Sequence, residues 1–155
     1  MTRLFVTLLI ASLPASAQHS SQYRACDHRA KTQTELNACA SDEAERVETQ
    51  LNQVYRKLLS QVASQREAAA NIKAAERQWI AYRDAYMIAM YPAQNKLAEY
   101  GSIYPMEANL LRAKLTERQL AALNDLLRKY RGTEHSAGDD TADTQDGTLQ
   151  PRTSQ

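Results

Sequence analysis

The chain has 155 residues, with 19 Lys and Arg against 18 Asp and Glu, a formal net charge of +1. That near-balance, with no clustered basic stripe, excludes the counterion-releasing surface of a nucleic-acid binder. The absence of a glycine-rich phosphate loop and of a nucleophile-elbow pattern argues against cofactor-dependent or hydrolytic chemistry and predicts no cofactor.

The first 17 residues read as a cleaved secretory signal. Arg3 supplies a positive start, Leu4 to Leu13 is an uncharged apolar run, and Ala15-Ser16-Ala17 places small residues where a signal peptidase reads. The run is about half the roughly 20 residues of a membrane-spanning helix, which predicts cleavage before Gln18 and no membrane insertion afterwards. No cysteine follows the run to carry a lipid. The expected address is the periplasm or the exterior.

Residues 18–131 suit one domain large enough to bury a core. They carry 17 bases and 13 acids, whereas the segment from Gly132 holds five acids and Arg152. In an oxidising compartment the two cysteines, Cys26 and Cys39, are expected to pair. A loop of that size contributes on the order of 3 kcal/mol by restricting the unfolded chain.

Thr32-Gln33-Thr34-Glu35 fits a capping box and predicts a helix starting near Thr32 to Thr34. An apolar stripe follows at three-and-four spacing: Leu36, Ala40, Ala44, Val47, Leu51, Val54, Leu58 and Val62. A second stripe, Ile72, Ala75, Trp79, Tyr82, Tyr86 and Met90, predicts a helix over roughly residues 66–90, bounded by Pro92. Ser60 to Glu67 fits either a tight turn or a continuous bent helix. Pro92 to Pro105 reads as a loop with helical character around Lys96 to Tyr100. Met106, Leu110, Ala113, Leu120, Leu123, Leu127 and Tyr130 mark a third stripe, with a second capping-box pattern at Thr116 leaving open whether that helix breaks and restarts. Beyond Gly132 the polar composition cannot offset its ordering entropy and predicts a disordered acidic tail over 132–155. The expected fold is all-α, a small antiparallel helical bundle or hairpin of three to four helices with one disulfide.

Three constellations bear on chemistry. The histidines, His19, His28 and His135, lack metal-ligand spacing and predict no metal site. The acids Asp42, Glu43, Glu45 and Glu48 fall mostly on the solvated side of the first stripe and read as surface charge rather than a general acid/base pair. In the loop, Tyr91, Tyr100 and Tyr104 flank Gly101-Ser102, a composition suited to protein recognition, because tyrosine offers large contact area at low entropy cost. The alternative is that these rings cover the end of the bundle.

Taken in order, Cys26, Thr34-Glu35-Leu36, Cys39-Ala40, Leu51-Asn52, Tyr55, Leu58, then Arg77, Trp79 and Tyr82-Arg83-Asp84-Ala85, then Gly101-Ser102, Met106, Thr116 and Arg118, form a recurrent pattern. On these residues the chain resembles the LprI family of exported, lysozyme-inhibitor-like proteins over about residues 23–131. The resemblance implies a non-enzymatic protein-binding module with a protein partner, a lysozyme by the family's name. It also marks Arg77, Trp79, Tyr82, Arg83 and Asp84 as family-motif residues, although helix packing and surface ion pairing account for much of that segment. The family commonly carries a second cysteine pair where this chain has Met87 and Leu111. A different reading, an envelope adaptor or an immunity protein for a secreted toxin, needs no lysozyme activity.

Overall fold

The computed structural model describes residues 19–136; the signal-like segment and the chain beyond Ser136 lie outside the described residues. Five α-helices follow in order: α1 (Ser21–Arg29), α2 (Gln33–Gln61), α3 (Arg66–Met90), α4 (Lys96–Tyr100) and α5 (Tyr104–Ser136), with a 3-10 turn at Gly101–Ile103 between the last two. Among the described residues there is no strand, and no helix is long and apolar enough to cross a membrane.

The capping box forms as its sequence dictates. Thr32 Oγ1 accepts from the Glu35 amide at 3.2 Å, and the Glu35 carboxylate accepts from the Thr32 and Lys31 amides. The stripe on α2 is the core-facing side: Ala40, Ala44, Val47, Leu51, Leu58 and Val62 are all buried. Ser60 to Glu67 resolves as a tight turn that reverses the chain. The third stripe forms one unbroken helix through Thr116, whose hydroxyl is satisfied by the Arg112 carbonyl one turn back at 2.9 Å rather than by capping a new start. That helix continues through Gly132 to Ser136, past the point where the tail was expected to begin.

The three long helices run up, down and up, so sequential neighbours are antiparallel and α2 lies parallel to α5. The most extensive contact in the molecule is between these two. Met106 and Leu110 meet Tyr23, Cys39 and Ala40 at one end, Ala113 meets Ala44 and Val47 in the middle, and Leu123 and Leu127 meet Leu51, Leu58 and Val62 at the other. Alanines at the middle let the two backbones approach closely, and the larger aliphatics fill the wider end. Val47, Leu58 and Val62 have no exposed surface, each contributing about 1.5–3 kcal/mol of burial.

The second stripe is rotated from the sequence expectation. Ile72, Glu76, Trp79, Arg83 and Met87 face the bundle, while Ala75 is exposed and Tyr82 and Met90 keep 55% and 49% of their surface. Both sets obey helical spacing, and the charged members win because their polar ends find partners: Gln119 Nε2 donates to Glu76 at 2.7 Å, and Arg83 lies over the Trp79 ring at 5.2 Å.

The N-terminal helix is pinned twice. The Cys26–Cys39 disulfide joins it to α2, with Cα atoms 5.7 Å apart. One turn further along α2, Glu43 is 2% exposed, so the expectation that it lies on the solvated side is wrong. Its carboxylate accepts from the Ser20 amide (3.0 Å) and hydroxyl (2.6 Å) and, in a fork, from Arg46 Nε and Nη2 (2.8 and 3.0 Å). Ser20 in turn caps α1 by accepting from the Tyr23 amide. Burial alone would raise the Glu43 pKa, but the hydrogen bonds from Arg46 and Ser20 outweigh it and hold the carboxyl at about 2. A depressed folded-state pKa stabilises the fold above the unfolded value, and that stability is lost as pH falls from about 4.5 towards 2. We therefore expect Glu43→Gln to lose about 2–3 kcal/mol at pH 7. Acid titrations followed by circular dichroism should show a shallower stability loss for the variant than for wild type over that window; equal slopes would remove Glu43 from this role.

Candidate protein-binding surface

Two places gather the residues singled out by the sequence, and they lie on different parts of the bundle. The first is the end where α3 gives way to α4 and α5. Tyr91, Tyr100 and Tyr104 come together as a ring cluster, with centroids 5.0 Å apart for Tyr91–Tyr104, 5.4 Å for Tyr91–Tyr100 and 5.9 Å for Tyr100–Tyr104. The first two pairs are edge-to-face, the geometry that aromatic quadrupoles favour. All three rings are half-buried. Burial, with Glu107 and the two neighbouring rings adding to it, pushes the Tyr91 hydroxyl above its ordinary pKa.

The loop around this cluster is held in place by side chains. Lys96 Nζ donates to the Tyr91 and Ala93 carbonyls, both at 2.9 Å; the Ala93 amide donates to the Tyr100 hydroxyl; and Asn95 caps α4 through the Ala98 amide. Gly101 has φ 71° and ψ −169°, a region closed to side-chain-bearing residues, and it makes the turn from α4 into α5. The Ser102 carbonyl accepts from Asn37 Nδ2 at 3.1 Å, tying the loop to α2. Gly101 and Ser102 are themselves exposed.

The sequence reading missed the apolar groups that this scaffold displays. Ile88, Met90, Leu97 and Ile103 are 65%, 49%, 60% and 40% exposed, and Tyr86 is 37% exposed. No periodic signal marks Leu97 or Ile103, because α4 and the 3-10 turn that hold them are too short to show one. Together with the tyrosines they make an aromatic and aliphatic end, a composition found at the centres of protein interfaces.

The second place is a groove of about 310 Å³ between α2 and α3. Leu51, Tyr55 and Trp79 form its apolar wall, and Glu48, Asn52, Lys73, Arg77 and Arg83 its polar rim. Three of the five motif residues, Arg77, Trp79 and Arg83, line it. Tyr82 points to solvent, and Asp84 is exposed and pairs with Arg83 at 2.9 Å. Among the described residues no cluster of His, Cys, Asp and Glu is arranged to hold a metal ion. With its pKa held near 2, Glu43 is a fixed anion at neutral pH and not a proton donor.

The family model described as lysozyme inhibitor LprI matches residues 26–123, more than half of the chain. The chain belongs to the LprI family. It is also 30% identical over 132 residues to an uncharacterized protein of Rhizobium meliloti (strain 1021), a likeness covering 77% of this chain and 89% of that protein. No solved structure matches it. The LprI match runs from Cys26 to Leu123 and so takes in the disulfide, the α2/α3 groove and the tyrosine end, and it stops short of the last turns of α5. LprI denotes an inhibitor family. Met87 and Leu111, where the resemblance led us to expect a missing cysteine pair, are both half-buried apolar side chains.

The rotated face of α3 makes a separable prediction about this LprI chain. Trp79→Ala should cost about 2–3 kcal/mol, below the roughly 3–5 kcal/mol of a fully buried tryptophan. Tyr82→Ala should stay within about 0.5 kcal/mol of wild type. Urea unfolding of both variants measures the difference, and a larger loss for Tyr82→Ala would restore the stripe expected from sequence.

Proposed function

We propose that this LprI-family chain is an exported protein-binding module that inhibits a peptidoglycan-lytic lysozyme by presenting its tyrosine end to the enzyme's sugar-binding cleft. The observation that carries this reading is the combination, at one end, of three mutually packed tyrosines with exposed Ile88, Met90, Leu97 and Ile103. Packed aromatic rings with exposed aliphatic side chains beside them are the kind of groups that form a binding hot spot. Inhibition needs nothing more than occlusion of the catalytic carboxylates.

Charge supports the same end. Residues 19–48 and 84–117, the half of the bundle bearing the tyrosines, hold ten acids against seven Lys and Arg, whereas residues 49–83 and 118–131 hold three acids against ten. The whole-chain balance hides this polarity. The tyrosine half, net −3, is suited to steer towards a basic lysozyme, and the opposite half, net +7, is not.

The test is a peptidoglycan lysis assay with the mature chain in micromolar excess over lysozymes of several types. Slowed lysis is expected with at least one. Tyr100→Ala with Tyr104→Ala should weaken inhibition by tenfold or more, the equivalent of about 1.4 kcal/mol or more, while helical content by circular dichroism stays intact. Failure to slow any lysozyme would reject the inhibitor function and leave protein binding of another kind; loss of helicity in the double variant would make the tyrosines part of the core.

A further inference from the structure

The basic half of the bundle contains a trough with no acid in it. Ala63, Ala69 and Ala70 line it together with Arg66, Lys73 and Arg77, about 450 Å³ at the surface of α3. At spacings of seven and four residues the three cations share one face of that helix. Among the described residues no carboxylate lies within ion-pairing distance of any of them; the acids that are paired, Glu43, Glu48, Asp84, Glu117 and Asp125, pair with other arginines. A cation row flanked by alanines admits an extended, side-chain-poor acidic segment.

The chain carries such a segment beside the trough. Tyr130 of α5 shares a surface pocket with Gln65, Arg66, Glu67, Ala68 and Asn71 at the start of α3, so the end of α5 sits at the Arg66 end of the cation row. Beyond Ser136 come Ala137-Gly138 and then Asp139, Asp140, Asp143 and Asp146, separated only by Thr, Ala and Gln. We propose that the acidic segment 139–146 docks intramolecularly in the α3 trough, with its aspartates on Arg66, Lys73 and Arg77.

The lengths agree. From the level of Ser136 back to that of Tyr130 is about 9 Å, and from Arg66 to Arg77 along α3 about 16 Å, at 1.5 Å per helical residue. Ten residues from Ser136 to Asp146 reach at most about 33 Å, which exceeds the sum of those two distances. Each exposed pair contributes little by itself, but tethering sets a local concentration in the millimolar range, enough for several weak pairs to act together. Docking neutralises much of the net +7 half and leaves the tyrosine half uncovered, so this inference does not depend on which protein the tyrosine end binds.

The test compares ¹⁵N–¹H spectra of the mature chain with those of a full-length variant carrying Asp139→Asn, Asp140→Asn, Asp143→Asn and Asp146→Asn. At about 20 mM salt the amides between Arg66 and Arg77 should differ between the two proteins. The difference should vanish at about 1 M salt, where the Debye length falls to about 3 Å. It should also be unchanged on dilution of the protein. Superimposable α3 resonances at low salt overturn the proposal. So do differences confined to another face, and so do differences that fade on dilution, which would mean that the segment binds a second copy. Lys73→Gln with Arg77→Gln should shift the aspartate amides towards their high-salt positions; no change there also counts against docking.

Discussion

The close parallel contact between α2 and α5 is the constraint from which the rest of the molecule follows. Ala44 and Ala113 at its middle are nearly solvent-free, and their small side chains let the helices approach where leucines would hold them apart. With that seam closed, α3 cannot insert between them and packs outside through long side chains. Trp79, Arg83 and Glu76 bridge the gap, and the α2/α3 groove is the space they leave. The same arrangement leaves Tyr86, Ile88 and Met90 at the end of α3 uncovered and carries the chain into the tyrosine loop.

The N-terminal end is clamped by a different chemistry. The disulfide fixes α1 by a covalent link, and Glu43 fixes it by two charge-assisted hydrogen bonds from Ser20, while two more from Arg46 on the same helix hold the carboxylate in place. Arg46 extends the clamp towards α5 through Glu117 at 3.9 Å. The tyrosine end is thus carried on a scaffold held in two independent ways: by aliphatic packing between α2 and α5, and by a disulfide and a buried carboxylate beside α1.

Much of this was legible in the residues. The α2 stripe and the Thr32 capping box rest on local spacing and local hydrogen bonds, which the chain carries wherever it folds. The Cys26–Cys39 bridge follows from an even cysteine count. What escaped depends on partners distant in sequence. Glu43 looks like any acid on a charged helix until Ser20, 23 residues away, donates to it, and Glu76 faces inward where Gln119, 43 residues away, stands opposite. Tyr82 was placed on the buried stripe because an aromatic at the right spacing is indistinguishable, by period alone, from a neighbour one position away. The charge polarity between the two ends was invisible for the same reason: the basic residues near 56–77 and near 128–131 become one surface only when α2, α3 and α5 are laid side by side.

The central claim is that the tyrosine end, and not the α2/α3 groove, is the surface that meets the partner. Hydrogen–deuterium exchange of the mature chain, alone and with saturating lysozyme, tests it most directly. The account predicts slowed exchange confined to Tyr91–Tyr104 and the adjoining last turns of α3 and first turns of α5, with the amides lining the groove at Leu51–Tyr55 and Lys73–Arg83 unchanged. Protection centred on the groove, or no protection anywhere, would contradict it.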